Sequence, residues 1–510
     1  MEAQMFITLV IASLLLWLAF KLIHLLWLKP KSLEKKLHQL GIKGTSYKFF
    51  FGDMIDFGRS FKAASSKPMN LSHDIAPRVL PFNYKSFQKY GKVSMFWYGT
   101  RPNLIIADPE LVKEALSYKL GHIEKPPQDP HVSSLSIGLV TMEGEKWIKQ
   151  RKLVNPAFHI DKIKGMTPAF LSSCVDLIER WKKSASPQGF CDIDVWTDIQ
   201  NFTADVISKT AFGSNFEEGK KIFELQKEQT VLVMEATQSL YIPGWRFLPT
   251  EKNIRRKKLK NEIKSNLQNI VQRKTAAMKT GESGADDLLG MLLQNSNQNA
   301  THVGMTIDEV IEECKLFYFA GQETSANLLT WTMILLAMRP SWQEKARVEV
   351  LEICGKNLPS FENLNHFKIV NMILNESLRL YPPAAQQVRY TAKETKLGDI
   401  LLPAGVQLML STLLIHHDSD VWGEDVQEFK PERFADGISK ASKDQVAFFP
   451  FGWGPRVCVA QNFAMVEAKM ALSMILQNFE FELSPSYTHA PHTVLTLQPQ
   501  HGAQLVLRVI

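Results

Sequence analysis

The stretch that decides the fold runs from Phe449 to Ala464 and reads Phe-Pro-Phe-Gly-Trp-Gly-Pro-Arg-Val-Cys-Val-Ala-Gln-Asn-Phe-Ala. At its centre is Cys458, which follows two glycines, a proline and an arginine. After the cysteine, apolar residues recur at three- and four-residue steps, and this spacing predicts a helix. The backbone N–H groups of a glycine-rich loop and the dipole of the following helix both favour a thiolate over a thiol. A thiolate presented in this way is a metal ligand or a nucleophile.

Length and composition are those of a large globular protein. The chain has 510 residues, of which 45% are hydrophobic and 22% are charged. Its net charge of +7 is small for this length, and no Cys/His finger spacing accompanies it, so we expect no nucleic acid partner. The five cysteines are widely spaced and odd in number, which favours a reducing compartment over a disulfide framework.

The N-terminus carries an apolar segment that predicts a membrane anchor. Met5 to Leu28 is long enough to cross a bilayer if Lys21 extends its amine to the headgroups. A cleavable signal peptide would need a basic start and a small-residue cleavage site, and neither is present. A buried core helix is the other alternative. Lysines after the segment predict that the rest of the chain faces the cytosol.

A long helix is predicted to begin at the capping box Thr306-Ile-Asp-Glu309. Inside it stands Ala320-Gly321-Gln-Glu323-Thr324. A glycine there costs about 1 kcal/mol relative to alanine, and the threonine can bond back to the preceding turn, so we expect a local widening of the helix. Glu323 and Thr324 supply an acid and a hydroxyl, which are the parts of a proton relay. A close helix crossing between small residues is the alternative.

Two other stretches place polar side chains on one helix face, as a pair of donors in the first and as an acid–base pair in the second. Trp147 and Arg151 are four residues apart, so they share a helix face and offer two donors to a carboxylate. Glu376 and Arg379 are three residues apart and form an acid–base pair on one face. Arg433 follows in the sequence Pro-Glu-Arg-Phe, some fifty residues later.

Taken together, these stretches resemble the cytochrome P450 family. The cysteine loop matches Phe-x-x-Gly-x-Arg-x-Cys-x-Gly except at the last position, where Ala460 stands, and the helix matches Ala/Gly-Gly-x-Asp/Glu-Thr. The resemblance implies the fold of that family, which is mainly α with small β-sheets and forms a single large domain behind an N-terminal membrane anchor. We therefore expect an anchor at 1–28, a linker at 29–45 and a catalytic domain at 46–510.

The resemblance also implies a cofactor and roles for individual residues. The cofactor is heme b, whose iron is bound by the axial thiolate of Cys458. Thr324 would hold dioxygen at the iron, and Glu323 would supply protons. Contacts with the heme are implied, several of them to its propionates, for Trp147, Arg151, Ala320, Arg389, Phe451 and Arg456. A buried triad that supports the cysteine loop is implied for Glu376, Arg379 and Arg433.

The implied reaction inserts one atom of O2 into a C–H bond of a small lipophilic substrate. Electrons would come from NADPH through NADPH–cytochrome P450 reductase, because the chain has no evident nucleotide or flavin motif of its own. The wording of 241–245, 317–324 and 495–500 is closest to the plant clan that oxidises terpenoids. A heme-thiolate isomerase or dehydratase and a heme carrier without turnover are the alternatives, and Glu323 with Thr324 argues against both.

The expected location is the endoplasmic reticulum membrane, with a single span and the catalytic domain in the cytosol. A second membrane contact is one interpretation of the apolar loop 241–249 and the basic helix that follows it, with its cations on anionic lipid. A buried loop beside a solvated charged helix face is equally consistent with the sequence.

Overall fold

A computed structural model gives the fold of the chain. It describes residues 2–118, 121–127, 135, 138–214, 216–238, 248–282, 284, 286–296 and 304–510. Residues 241–247 of the apolar loop lie outside the described residues, so both interpretations of that loop stay open.

Helices form most of the described residues. The α-helices are α1 (Glu2–Ile23), α2 (Lys29–Gln39), α3 (Met54–Ser65), α4 (Ala76–Val79), α5 (Pro81–Tyr90), α6 (Pro109–Ser117), α7 (Gly144–Val154), α8 (Ile160–Gly165), α9 (Thr167–Ser184), α10 (Val195–Phe212), α11 (Phe216–Gln238), α12 (Glu251–Thr280), α13 (Leu288–Ser296), α14 (Ile307–Met338), α15 (Pro340–Cys354), α16 (Lys368–Leu380), α17 (Thr412–His416), α18 (Ser419–Trp422) and α19 (Gln461–Asn478). Shorter turns are π-helical at His24–Leu28 and 3-10 at Asn155–Phe158, Asn363–Asn365, Pro431–Phe434, Ile438–Lys440 and Gly454–Arg456.

The strands are short and form small sheets. They are β1 (Lys43–Gly44), β2 (Val93–Tyr98), β3 (Arg101–Ile106), β4 (Ile123–Glu124), β5 (Phe190–Asp194), β6 (Gln387–Thr391), β7 (Thr395–Leu397), β8 (Ile400–Leu402), β9 (Gln407–Leu410), β10 (Phe479–Leu483), β11 (Pro491–Val494), β12 (Thr496–Pro499) and β13 (Gln504–Val509). The largest sheet has the order β1-β2-β3-β9-β6-β4, and its β3 runs parallel to β9 and antiparallel to β2. The smaller sheets are β10-β13-β5, β11-β12 and β7-β8. The predicted fold class, mainly α with small β-sheets, is confirmed.

The N-terminal segment is helical and exposed. One helix of the described residues, Gln4–Gln39, is long and apolar enough to cross a membrane, and none of its most apolar stretch is buried in the protein. A core helix would be buried, so that alternative does not fit. The segment 29–45, which we expected to be a linker, contains α2, and α2 buries Leu37 against the domain.

The long helix α14 organises the interior. It begins at the predicted capping box, where Thr306 accepts from the Glu309 N–H at 3.2 Å and Glu309 accepts from the Thr306 N–H at 2.8 Å. From there α14 packs against α10, α16 and α19. Its C-terminal half is almost wholly buried, with Trp331 as one of the largest buried side chains. This packing brings the middle of α14 opposite the cysteine loop.

Candidate active site

The cysteine loop is a tight turn, and one of its positions, Gly454, can be occupied only by glycine. Gly452 and Gly454 have φ values of +78° and +69°. A Cβ on Gly454 would also lie 2.5 Å from the Leu116 carbonyl oxygen, so a side chain cannot fit there. The Cys458 N–H donates to the Phe451 carbonyl at 2.9 Å and closes the loop, and α19 begins three residues later at Gln461.

The thiol of Cys458 faces an interior cavity of about 320 Å³. Cys458 is an exposed residue, and it forms part of the wall of this cavity. The remaining wall is mainly apolar, including Leu316, Phe317 and Leu328 of α14. The structure brings most of the predicted site residues to this one cavity: Trp147, Arg151, Ala320, Thr324, Phe451, Arg456 and Cys458.

In the chain alone, opposing effects act on the pKa of the Cys458 thiol. Burial raises the pKa of the Cys458 thiol above its ordinary value. The Ala460 backbone N–H and the Arg151 charge lower that pKa, but by less than burial raises it. A bound metal cation deprotonates a coordinating thiol outright. The thiolate therefore depends on the metal as well as on the loop.

The middle of α14 is an unbroken α-helix, so the widening that we expected at Gly321 is absent. A Cβ on Gly321 would lie 2.7 Å from Ile207 Cγ1 of α10, which shows that the glycine permits a close helix crossing. The Thr324 hydroxyl donates to the Ala320 carbonyl at 2.8 Å, as a threonine does when it bonds back to the preceding turn. Its side chain lines the cavity.

Glu323 lies outside the described cavity wall, although Thr324 beside it belongs to that wall. The Glu323 carboxylate accepts from the Thr496 hydroxyl at 3.4 Å, at the start of β12. Burial raises its pKa to about 7, against smaller lowering effects of Lys227 and Thr496. A carboxyl group with a pKa near neutrality can both take up and release a proton at working pH.

Two arginines and a tryptophan line one side of the cavity. Arg456 stacks on the Trp147 ring at 4.4 Å and pairs with the Glu143 carboxylate at 2.5 Å. Arg151 donates to the Val457 carbonyl, next to the cysteine, at 2.8 Å. Trp147 and Arg151 therefore share a helix face as predicted, and both face the cysteine loop.

Arg389, which is buried, and Lys125, which is half-buried, add two more cations beside Arg456. Arg389 is 3% exposed, and burial together with the Arg456 charge lowers its pKa to about 10. Lys125 lines the cavity, and burial, Arg389 and Arg456 lower its pKa to about 7. Our sequence analysis missed Lys125, because a lysine before two prolines carries no recognisable signal. The described residues of this group contain one ion pair, that of Arg456 with Glu143.

The predicted triad is present behind the loop. Arg379 makes a two-bond contact with Glu376, with both distances 2.7 Å, and Arg433 Nε lies 3.6 Å from Glu376 Oε1. Arg379 also donates to the His416 carbonyl at 3.0 Å, and His416 Nε2 accepts from the Phe449 N–H at 3.4 Å. His416 thus connects the triad to the first residue of the cysteine stretch, a role that its sequence did not indicate.

These residues fit a heme with a cysteine ligand. The flat apolar ring of a heme needs apolar walls, its iron needs a thiol that reaches the cavity, and its two carboxylates need cations. The cavity offers Cys458, the apolar face of α14 and a surplus of buried positive charge around Arg456.

Comparisons with known proteins agree with this geometry. The cytochrome P450 family model matches residues 79–506. Cytochrome P450 72A397 of Kalopanax septemlobus is 52% identical, covering 96% of this chain and 95% of that protein. An 11-oxo-beta-amyrin 30-oxidase of Glycyrrhiza uralensis is 50% identical (98% and 97% covered), and a 7-deoxyloganic acid hydroxylase of Catharanthus roseus is 48% identical (98% of each covered). The chain therefore belongs to the cytochrome P450 family, as a monooxygenase whose cofactor is heme b with an axial cysteine thiolate.

Proposed function

We propose that the protein is a membrane-anchored monooxygenase that oxidises a C–H bond of a plant terpenoid, of the triterpenoid or iridoid class. The observation that carries this proposal is one cavity that holds the Cys458 thiol and the Thr324 hydroxyl between apolar walls. A heme-thiolate protein that only isomerises or carries has no need of a hydroxyl and an adjacent acid on the helix opposite the thiol.

When bound, the heme supplies the activation of O2 and the transfer of one oxygen atom. The chain's own residues do the rest. Cys458 would bind the iron, and the carboxylates would be held by the Trp147 N–H and by the cations Lys125, Arg151, Arg389 and Arg456. The apolar wall of α14 keeps water from the cavity. The Thr324 hydroxyl holds a proton at the cavity wall, and Glu323, the preceding residue of α14, exchanges protons near pH 7.

The cavity supports a bulky hydrocarbon substrate with few polar groups. Leu139, Leu316 and Pro383 are among its apolar lining residues, and Gln387 is one of the polar groups that can orient a ligand. Two of the relatives are named for the oxidation of 11-oxo-beta-amyrin and the hydroxylation of 7-deoxyloganic acid. Turnover of a terpenoid panel in microsomes with reductase, read by mass spectrometry, identifies the substrate and the carbon that is oxidised.

Electrons come from NADPH through NADPH–cytochrome P450 reductase, and the exposed helix α1 anchors the protein in the endoplasmic reticulum. Deleting residues 1–28 releases protein from the membrane if this assignment is right. Three sequons, at Asn70, Asn201 and Asn299, report the orientation. Asn70 is exposed and so available to the glycosylation machinery of the lumen, and Asn299 lies outside the described residues. They stay unmodified if the domain faces the cytosol, and an endoglycosidase-sensitive mass shift contradicts that orientation.

The assignment of Cys458 is tested by Cys458→Ser. We expect the variant to lose the carbon monoxide difference band of a thiolate-bound heme, because a serine hydroxyl does not replace the thiolate. Cys354→Ser is the matched control, as Cys354 is a buried cysteine at the end of α15. A Cys458→Ser protein that keeps the band has another iron ligand.

The role of the hydroxyl is tested by Thr324→Ala. We expect product formed per NADPH to fall about tenfold, which is less than the roughly 10²–10⁴-fold contribution of a positioned general acid or base. We also expect more peroxide to be released, with normal binding of heme and substrate. Thr332→Ala is the control, because Thr332 makes the same back-bond at 2.7 Å, two turns further along α14. Product, peroxide and NADPH are measured together, and equal coupling in both variants removes Thr324 from the mechanism.

A further inference from the structure

A second cavity, the polar pocket, lies apart from the cavity that contains the Cys458 thiol. Its volume is about 200 Å³, and its wall is formed by α4 and α5 on one side and by the chain around α17 and α18 on the other. Of the described residues that line it, none lines the cavity at Cys458. Apolar side chains dominate the wall of that cavity, whereas the wall of the polar pocket includes Asp74, Tyr84, His417, Asp418, Ser419 and Gln427.

The ring of His417, in the wall of the polar pocket, has a nitrogen that lacks a donor. His417 Nε2 donates to the Leu380 carbonyl at 2.9 Å. Burial and the Arg379 charge lower the pKa of His417 to about 3, so the ring is neutral and its Nδ1 keeps a free lone pair. His417 is 9% exposed, and among the described residues neither its Nδ1 nor Gln427 Oε1 has a hydrogen-bond partner by strict geometry. Because buried polar atoms are normally hydrogen-bonded, these two acceptors favour a ligand that has hydrogens to donate.

The carboxylates of the polar pocket give it negative charge. Burial raises the pKa of the Asp74 carboxyl group, and no cation of the described residues offsets this rise. Asp418 pairs with Lys92 at 2.8 Å, but Lys92 also pairs with Asp420 at 3.2 Å, just outside the pocket. Three carboxylates in and beside the pocket therefore share one lysine, and the ligand that suits the pocket is a cation.

Aromatic rings add to the preference for a cation. Tyr84 and Phe87 line the pocket, and the face of an aromatic ring attracts an ammonium group. Burial and the nearby Asp74 charge raise the pKa of Tyr84, so the carboxylate lies close to this ring. A metal ion is a less suitable occupant, because the described residues contain no group of three or more His, Cys, Asp or Glu side chains that could hold one.

We propose that the polar pocket binds a small organic ammonium ion. The N–H groups of the ligand donate to the Asp74 carboxylate, to His417 Nδ1 and to Gln427 Oε1, and its carbon atoms lie against the rings of Tyr84 and Phe87. The volume of about 200 Å³ is smaller than that of a site for a drug-sized molecule, so the ligand has few heavy atoms.

Binding at His417 reaches the support of the cysteine loop. His417 follows His416 at the end of α17. The Nδ1 of His416 lies 3.2 Å from the Arg379 carbonyl, and its Nε2 accepts from the Phe449 N–H at 3.4 Å. A ligand that holds His417 therefore stabilises the folded state of this part of the chain, and the gain is measurable as a change in thermal stability.

Thermal denaturation of the full-length, heme-loaded protein tests the proposal with ethylammonium chloride as the probe. We expect the midpoint of unfolding to rise with the probe and then to saturate, because the ligand binds the folded chain by mass action. Tetramethylammonium has the charge but no N–H to donate, so it should bind about fivefold more weakly, as the loss of a hydrogen bond allows. Sodium chloride at the same concentration should give no saturable rise. Equal rises with ethylammonium and sodium chloride leave the pocket to water alone and overturn the proposal.

Two substitutions test whether the response arises in the pocket. Asp74→Asn keeps the shape and removes the charge, so it should weaken binding of ethylammonium about tenfold. Asp436→Asn, at an exposed aspartate outside the pocket, is the matched control and should bind like the wild type.

The second substitution is at Ser419, an exposed residue of the pocket wall. Ser419→Lys supplies a tethered ammonium group, so it should raise the midpoint without the probe and abolish the response to it. Ser419→Met adds a long side chain without a charge and should keep the response. A response that survives both Asp74→Asn and Ser419→Lys arises elsewhere on the protein and overturns the proposal.

Discussion

Two buried charged regions lie on opposite sides of the cysteine loop, and they differ in whether the protein itself completes them. Around Glu376, all five N–H groups of Arg379 are used: Nε and Nη2 bind Glu376, and the remaining three bind the carbonyls of His416, Val426 and Glu428. Around Arg456, by contrast, the pKa values of Lys125, which is half-buried, and Arg389, which is buried, are lowered to about 7 and about 10. The first region is thus held together by the protein's own groups, whereas the second is the region that we propose for binding the carboxylates of the heme.

The difference has an energetic meaning. A buried ion pair whose hydrogen bonds are complete is stable, but removing one of its partners is strongly destabilising because the other charge stays buried. Buried like charges without enough anions destabilise the chain until a ligand brings the missing charge, and the ligand then stabilises the fold by mass action. Both regions contain buried arginines, and they differ in how many hydrogen-bonding and ion-pair partners the protein provides for them.

The largest effect is expected in the completed region. Glu376→Gln removes one member of the triad and leaves Arg379 without its counter-charge, while Arg433 keeps its ion pair with Asp425 at 2.7 Å. Losing one partner of such a buried pair costs about 3–5 kcal/mol. Because the whole free energy of unfolding of a domain is about 5–15 kcal/mol, we expect little folded protein. Thermal denaturation and the yield of folded protein measure this. Glu432→Gln, an exposed neighbour of Arg433, should behave like the wild type; equal damage by both variants would contradict a special role for the triad.

Around Arg456, removing a charged side chain should not lower the stability of the heme-free chain, in contrast to the loss of stability expected for Glu376→Gln. Lys125→Met removes a repelled charge, so heme-free protein should be as stable as the wild type or more stable. Heme should nevertheless leave about tenfold faster, since a charge-assisted bond to its carboxylates contributes about 1.5–3 kcal/mol. Thermal denaturation of the heme-free protein and heme transfer to apomyoglobin measure the two effects.

The dependence on pH checks the same variant. The pKa of Lys125 is about 7 in the folded chain and lies near its ordinary value of 10.5 in the unfolded chain. Between these pH values the unfolded chain binds more protons, so the stability of heme-free protein rises with pH over this window. Lys125→Met should lose this part of the slope and Lys396→Met, at an exposed lysine, should keep it. A heme-free wild type without the slope contradicts the burial of an uncompensated cation.

The sequence predicted features formed by neighbouring residues better than features formed by residues that are distant in the chain. Spacing and pattern were enough for the Cys458 loop and the Thr306 cap, because each depends on residues close in the chain. Lys125 lies near Arg389 and Arg456 in space but far from them in the sequence, and no local sequence pattern predicts this proximity. The sequence analysis predicted a linker at 29–45 and did not specify the helix at 29–39; its Pro30 lies in the first turn, where proline is tolerated.

Another buried carboxyl group, that of Glu467, can be compared with Glu376. Glu467 on α19 is 1% exposed, and neither of its carboxyl oxygens has a hydrogen-bond partner by strict geometry among the described residues. Burial raises its pKa to about 8, against a smaller lowering effect of Ser325. At pH 6 the folded protein therefore holds this group as a neutral acid, in contrast to Glu376, which shares its charge with Arg379.

Glu467→Gln should therefore have the smallest effect of the three substitutions. The folded chain binds more protons than the unfolded chain between pH 4.5 and about 8, so the contribution of Glu467 to stability is present below that window and is lost as pH rises through it. The amide resembles the neutral acid, so we expect no change near pH 5 and a gain of about 1 kcal/mol at pH 8.5. Glu480→Gln, at an exposed position of β10, should show no gain at either pH. Thermal denaturation across this range measures the difference. If Glu467→Gln is as damaging as Glu376→Gln at every pH, the Glu467 carboxyl carries a paired charge and belongs with the completed region.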